Sequence, residues 1–312
     1  MKLIGALSLT LVALLFVDAP SALRAQSPDK ITIAVLPSDS VRMAYYAIDR
    51  GSFKRAGLDA QLVSLQSGPA IAAAVASGAA DFGAANIIAL AVAHEKGLPF
   101  IAIAPAGVYT EHVVTQALVV EQSSKMKTAK DLVDRVIGVD SLKTLATIAI
   151  SSWVDRNGGD STTLKFIEIP FAQMGMALAA GRVDAAFIPE PVLSGVLNSG
   201  GRVLSAPLNA IGPELQLGAW FTTADYAKTH ADLIRRFVLA LAENVSLANS
   251  SKNTNAAIFE KYTGIQAHEN TQWMVQADRV NLATVQPLID AATKYGVLKR
   301  TFPASELYAA PR

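Results

Sequence analysis

The chain has 312 residues, 51% of them hydrophobic, with 27 Lys+Arg against 26 Asp+Glu and no cysteine. That length carries two ordinary cores. Near-neutrality excludes a basic stripe for nucleic acid and a polybasic patch for anionic lipid, and the missing cysteine excludes disulfides, thiol nucleophiles and Cys-based metal sites.

Met1-Lys2 is a short positive start, Leu3 to Val17 is apolar, and Ala22-Leu-Arg-Ala25 offers small residues for cleavage. An apolar run of about 15 residues suits a signal peptide and falls short of the ~20 that span a membrane. Residues 1–25 therefore read as a leader removed near Ala25. Losing Lys2, Arg24 and Asp18 with it brings the charge balance to zero. With no cysteine to lipidate, the exported chain is expected to be free in the periplasm.

Lys30 to Leu36 reads as a buried strand that stops at Pro37, and Ser38-Asp39-Ser40 offers caps for a helix over Val41 to Arg50. Leu58 to Leu65 is the second strand, and Gly68-Pro69 starts a helix through Ser77. A strand over Asp81 to Ala85, a helix from Asn86 to Lys96 and a strand over Leu98 to Ala104 follow. Thr115 to Val120 is expected to be a first crossing into another lobe, with a short capped helix over Thr128 to Val133. Thr144 to Asn157 reads as helix, Leu164 to Ile169 as strand, Phe171 to Ala180 as helix and Arg182 to Ile188 as strand. Leu215 to Thr222 is the expected crossing back, before helices over Ala231 to Asn249, Asn253 to Tyr262, Asn270 to Ala277 and Val285 to Tyr295.

The chain repeats itself at an offset near a hundred residues. Ile31-Thr-Ile-Ala-Val35 returns as Arg135-Val-Ile-Gly-Val139, and Val63-Ser-Leu-Gln66 as Ile167-Glu-Ile-Pro170. Ala76-Ser-Gly-Ala-Ala-Asp81 returns as Ala179-Ala-Gly-Arg-Val-Asp184. So long a period means paired α/β units rather than a solenoid. The expected fold is α/β: two Rossmann-like lobes with mostly parallel sheets, joined by two crossing segments. Residues 28–115 form the first part of lobe one, 116–221 lobe two, and 222–312 the C-terminal helical part of lobe one.

Catalytic and metal motifs are missing. The four histidines (94, 112, 230, 268) are scattered, and there is no Gly-x-Ser-x-Gly elbow, phosphate loop or dinucleotide fingerprint. No catalytic residue, metal or cofactor is expected. What recurs is a polar turn between a strand end and a helix start: Ser38-Asp39-Ser40, Gln66-Ser67-Gly68, Asn86, Ser141 with Lys143 and Thr144, and Phe171. In parallel α/β sheets these ends line the ligand crevice, where helix N-termini aim unpaired N–H groups. Each turn alone is equally an ordinary helix cap. Glu190, before Pro191, either accepts a hydrogen bond from a ligand or caps the next helix. Tyr45, Tyr109, Phe171 and Trp220 are candidate aromatic walls, with at most one of the adjacent Tyr45 and Tyr46 facing the ligand. Arg42 and Lys143 are the cations placed to neutralise an anion.

From Ile31 to Leu307 the chain resembles the substrate-binding proteins of ABC importers with the type II periplasmic-binding fold, in the nitrate, sulfonate, taurine and thiamine-precursor branch. The residues that carry the likeness are Ala76-Ser-Gly-Ala-Ala-Asp-Phe-Gly83, Leu118-Val-Val-Glu121 and Gly181-Arg-Val-Asp-Ala-Ala-Phe-Ile-Pro-Glu-Pro191. Tyr295-Gly-Val-Leu298 and Phe302-Pro-Ala-Ser-Glu-Leu307 add to it. The resemblance implies a monomer that captures a small polar or anionic molecule (a sulfonate, carboxylate or pyrimidine) and delivers it to an inner-membrane permease. A pyrimidine synthase of this group depends on a cysteine-rich motif that is missing here. The alternative reading is a periplasmic sensor module that passes its ligand state to a membrane receptor.

Overall fold

The computed structural model describes residues 27–65 and 67–308, so the leader expected over 1–25 and the candidate Gln66 lie outside the described residues. Strands β1 (Asp29–Val35), β2 (Leu58–Ser64), β3 (Phe82–Asn86) and β4 (Phe100–Thr110) alternate with helices α1 (Arg42–Asp49), α2 (Ser52–Arg55), α3 (Gly68–Ala76) and α4 (Ile87–Glu95). A second set follows: β5 (Gln116–Glu121), β6 (Val136–Val139), α5 (Leu145–Arg156), β7 (Lys165–Glu168), α6 (Phe171–Ala179), β8 (Ala185–Pro189), α7 (Val192–Asn198) and β9 (Gly201–Ser205). Then come β10 (Glu214–Thr223), α8 (Ala224–Thr229), α9 (Ala231–Ala242), α10 (Val245–Ser250), α11 (Lys252–Thr263) and α12 (Leu282–Lys294). Among the described residues no helix is long and apolar enough to cross a membrane.

The strands form two five-stranded sheets of the same order, β2-β1-β3-β10-β4 and β7-β6-β8-β5-β9. In each sheet the fourth position is held by the antiparallel strand, and it is the strand that begins just after the chain has crossed over. The other four strands point one way. The expectation of mostly parallel sheets holds, with one inserted antiparallel strand in each.

The repeated Gly-x-x-Asp motif has a structural cause. The Asp81 carboxylate accepts the N–H of Thr32 on β1 at 2.7 Å, and Asp184 accepts that of Val136 on β6 at 2.8 Å. Each aspartate therefore ties the turn before one strand, β3 or β8, to its parallel neighbour, β1 or β6. An unmade bond here would leave a strand N–H without a partner.

One buried cluster joins residues of both units, among them Ile71, Tyr109, Leu118, Ile137 and Leu288, while a second lies within the first unit and a third within the second. Phe237 on α9 stacks on Phe82 at 4.0 Å and on Phe53 at 5.5 Å, and Trp220 meets it edge-on at 5.8 Å. Such offset and edge pairs add about 0.5–1.5 kcal/mol beyond burial.

Four expectations are corrected. Thr115 to Val120 and Leu215 to Thr222 are not crossings but lie in strands β5 and β10; the sheets are joined by residues 111–115 and 206–213. β4 runs through Pro105 to Thr110, which an edge strand tolerates because one side needs no donor. The helix expected over Ala231 to Asn249 breaks at Asn244, whose side-chain amide donates to Ala240 O and Ser52 Oγ. Asn270 to Ala277 is irregular, with a single β-bridge at Val275, rather than helical. Its backbone N–H groups go elsewhere: Gln272 to Glu190, Met274 to Asp39, Val275 to Val108 O and Gln276 to Asn249. Tertiary partners outcompete the helix for those donors.

Candidate functional site

The C-terminal ends of the parallel strands carry the candidate turns. On the first sheet these are Ser38 to Ser40 after β1, Ser67-Gly68 after β2, and Asn86 at the end of β3. On the second they are Ser141 to Thr144 after β6, Phe171 after β7, and Glu190 after β8. The two edges approach one another. Residues 272 and 274, about 7 Å apart in extended chain, bind Glu190 of the second sheet and Asp39 of the first.

The exposed Asn86 side chain accepts the N–H of Ala89 at 2.8 Å and so caps α4. Ser67 caps α3 more weakly, accepting from Ala70 N at 3.4 Å, and Gly68 is the first residue of that helix. The Thr144 hydroxyl instead donates to Ser141 O at 2.9 Å. No side-chain oxygen caps the N-terminus of α6, where half-buried Phe171 stands first. Ser38 and Ser40 are half-buried and share a hydroxyl–hydroxyl contact of 2.9 Å. The gap is therefore edged by small hydroxyls, one amide and helix starts, which suit a polar or anionic group.

Its charges differ from the expectation. Arg42 is fully buried, paired with buried Asp39, donates to Met274 O at 3.1 Å and lies 4.9 Å over the Trp273 ring. That guanidinium is spent inside the protein and does not neutralise a ligand. Burial pushes the Asp39 carboxyl up, opposed by Arg42 and the Met274 N–H. Lys143 stays exposed, on a turn held in the left-handed region at φ 56°. Beside it Asp140 is exposed; desolvation raises its carboxyl against hydrogen bonds at its own turn, with a smaller push from Glu168.

Three aromatic candidates are corrected. Trp220 is fully buried among the core residues of the first sheet. Tyr45 is buried too, stacked on Tyr262 at 5.4 Å. Tyr109 is buried and its hydroxyl donates to Asn209 at 2.7 Å, which ties β4 to the segment leading into β10. An aromatic beside a strand end has two faces to choose from, and here the core took these three. Phe171 alone keeps a partly open position.

Glu190 is buried and already satisfied. Ser194 donates from its hydroxyl at 2.7 Å and from its N–H at 3.1 Å, and Gln272 N donates at 3.1 Å. Of the two readings, these bonds are those of the cap on α7. Burial raises its pKa above the usual 4.5, beyond what the donors lower. The native state then holds a proton that the unfolded chain releases, so the stability from this group is full below about pH 4.5 and is lost as pH rises through the raised value. The parent should lose more melting temperature than Glu190→Gln as the pH rises from about 4.5 through the raised value. Equal slopes in a thermal-denaturation series would contradict that.

Two recesses lie elsewhere. One is lined by Met43, Trp220 and Val245, the other by Ser152, Arg156 and Lys294. Among the described residues no group of three or more His, Asp or Glu could hold a metal. The residues that sequence reading missed are those of 268–276, because their buried positions, Thr271, Trp273, Met274 and Gln276, do not keep the alternation of a strand.

Comparison with known proteins follows the same lines. A family model described as "NMT1/THI5 like" matches residues 40–251. No curated protein sequence matches the chain. The periplasmic aliphatic sulphonate binding protein SsuA from Escherichia coli aligns with a TM-score of 0.73 and 20% identity, over 92% of this chain and 94% of that one. The alkanesulfonate-binding protein SsuA from Xanthomonas axonopodis pv. citri, bound to MOPS, gives 0.72 and 18%, over 91% and 99%. A ligand-binding component of an ABC-type import system from Staphylococcus aureus, with zinc bound, gives 0.75 and 14%, over 91% and 97%. The chain shares their periplasmic-binding-protein fold.

Proposed function

The chain belongs to the NMT1/THI5-like family, and from that premise we propose that it is the solute-binding component of an ABC importer, not an enzyme. The observation that carries the reading is the pair of equally ordered sheets joined by two connections, with residues 272 and 274 bonded to the strand-end turns of both. Residues 29–110 with 214–308 would act as one lobe and 116–205 as the other, because β10 belongs to the first sheet and not to the lobe-two range read from the sequence. A small polar or anionic molecule (a sulfonate, carboxylate or pyrimidine) would bind one lobe, gain contacts from the other, and so stabilise the closed form. That form, a monomer in the periplasm once residues 1–25 are removed, would be what the inner-membrane permease recognises. With Arg42 spent on Asp39, an anionic group would be met by Lys143 and by helix N–H groups. The nearby Asp140 favours a ligand that also carries a donor.

The test is mass spectrometry of small molecules released from gently purified protein, backed by a thermal-shift screen of sulfonates, carboxylates and pyrimidines. With a ligand in hand, Asn86→Ala and Thr144→Ala should each weaken binding about tenfold or more, the cost of an unpaired buried partner. Asn86→Ala should also remove about 1 kcal/mol of stability as a lost N-cap, whereas Lys252→Ala should do neither. Parent-like calorimetric affinity in both cleft variants, with earlier melting, would reduce those turns to plain caps.

A further inference from the structure

Residues 268–276 touch both lobes, with different strengths. Toward lobe one the contacts are buried and numerous. Met274 N donates to Asp39, Arg42 donates to Met274 O at 3.1 Å, and Val275 exchanges two backbone bonds with Val108 at 2.7 and 3.1 Å. Asn249 clamps Gln276 through both its amide atoms at 2.9 Å. Gly107, at φ 64°, makes room for this seat: a Cβ there would come within 2.9 Å of Met274 Sδ and Ser40 Cα.

Toward lobe two the contacts are few: one reaches the buried Glu190 and the others lie at the rim. Gln272 N reaches Glu190, and the exposed Asn198 and Asn270 amides meet at 3.2 and 3.4 Å. The His268 ring lies against α7 at Gly195. A Cβ on Gly195 would stand 3.0 Å from His268 Nε2, and within 4 Å it would meet nothing else but that ring's Cδ2. The glycine has an ordinary helical backbone, so its missing side chain serves this approach and not a turn.

We propose that residues 268–272 are a latch: lobe one carries them, α7 of lobe two docks on them through Gly195, Asn198 and Glu190, and this contact sets the angle between the lobes in the empty protein. Exposed polar bonds between two rigid bodies are the contacts first given up when the bodies rotate. The buried anchor on lobe one stays in place. Glu190 is then a positioning residue, whose carboxylate holds α7 and the latch together.

The test needs no ligand, so its outcome is separable from that of the importer reading. The chain has no cysteine, so Ala76→Cys and Ala179→Cys, exposed on α3 and α6, place one spin label on each lobe. Pulsed electron paramagnetic resonance then reads the distance between lobes. Gly195→Leu, whose Cβ would press on the His268 ring, should lengthen or split that distance by more than the width of the parent distribution, with unchanged circular dichroism. Asn198→Ala/Asn270→Ala should shift it in the same direction, and Glu190→Gln, which keeps one acceptor oxygen for Gln272 N, should leave it in place. A parent-like distribution in Gly195→Leu overturns the latch. If that variant fails to fold, the surface pair Asn198→Ala/Asn270→Ala decides by the same criterion.

Discussion

Arg42→Ala should destabilise the protein by about 3–5 kcal/mol, because it strands a buried carboxylate. Asp39 and Arg42 are 1% and 0% exposed, and the pair also binds both the N–H and the C=O of Met274. Removing the guanidinium leaves Asp39 without its counter-charge, and its burial leaves protonation as the cheaper outcome. The double variant Asp39→Asn/Arg42→Met keeps an acceptor for Met274 N and much of the arginine's packing volume, and it buries no charge. It should therefore lose much less than Arg42→Ala. Urea denaturation of the parent, each single variant and the double gives the coupling directly. Additive losses would mean that the two charges do not support one another.

Trp220→Ala should cost a similar 3–5 kcal/mol, the price of deleting a large core aromatic. Trp220 is fully buried on β10, a strand paired on both sides by β3 and β4, and packs edge-on to Phe237. Among the described residues its Nε1 has no hydrogen-bond partner. Trp220→Phe drops that unpaired donor and should lose less than half as much. Once a ligand is found, its affinity for folded Trp220→Phe should match the parent's. A tenfold loss of affinity in Trp220→Phe without loss of stability would return this side chain to the ligand's wall.

Much of the fold could be read from the sequence because its punctuation is doubled. The Asp81 and Asp184 turns, and the strands they tie together, do the same local work in each copy, so each supported the reading of the other. Sheet membership was not legible. β5 and β10 are apolar runs like their neighbours, and nothing in their own residues says whether they cross a gap or fill a sheet. The site was legible where local chemistry decides, as in the Asn86 cap. It was illegible where partners lie far off: Arg42 is consumed in part by a carbonyl 232 residues away, and Glu190 by an amide 82 residues away. Residues 270–277 read as helix for the same reason, since the acceptors for the N–H groups of Gln272, Met274, Val275 and Gln276 are distant in the chain.

The placement of β10 has a consequence for the order in which the molecule can assemble. All five strands of the second sheet come from one unbroken stretch, residues 116–205, whereas the first sheet cannot join β3 to β4 until residues 214–223 arrive between them. As a chain emerges from its N-terminus, β1 to β4 must therefore wait, half-paired, while a later segment completes its own core. Contacts of such long sequence separation are slow to form. The last region to be secured is the sheet that carries the N-terminus, with β10 as its closing stitch.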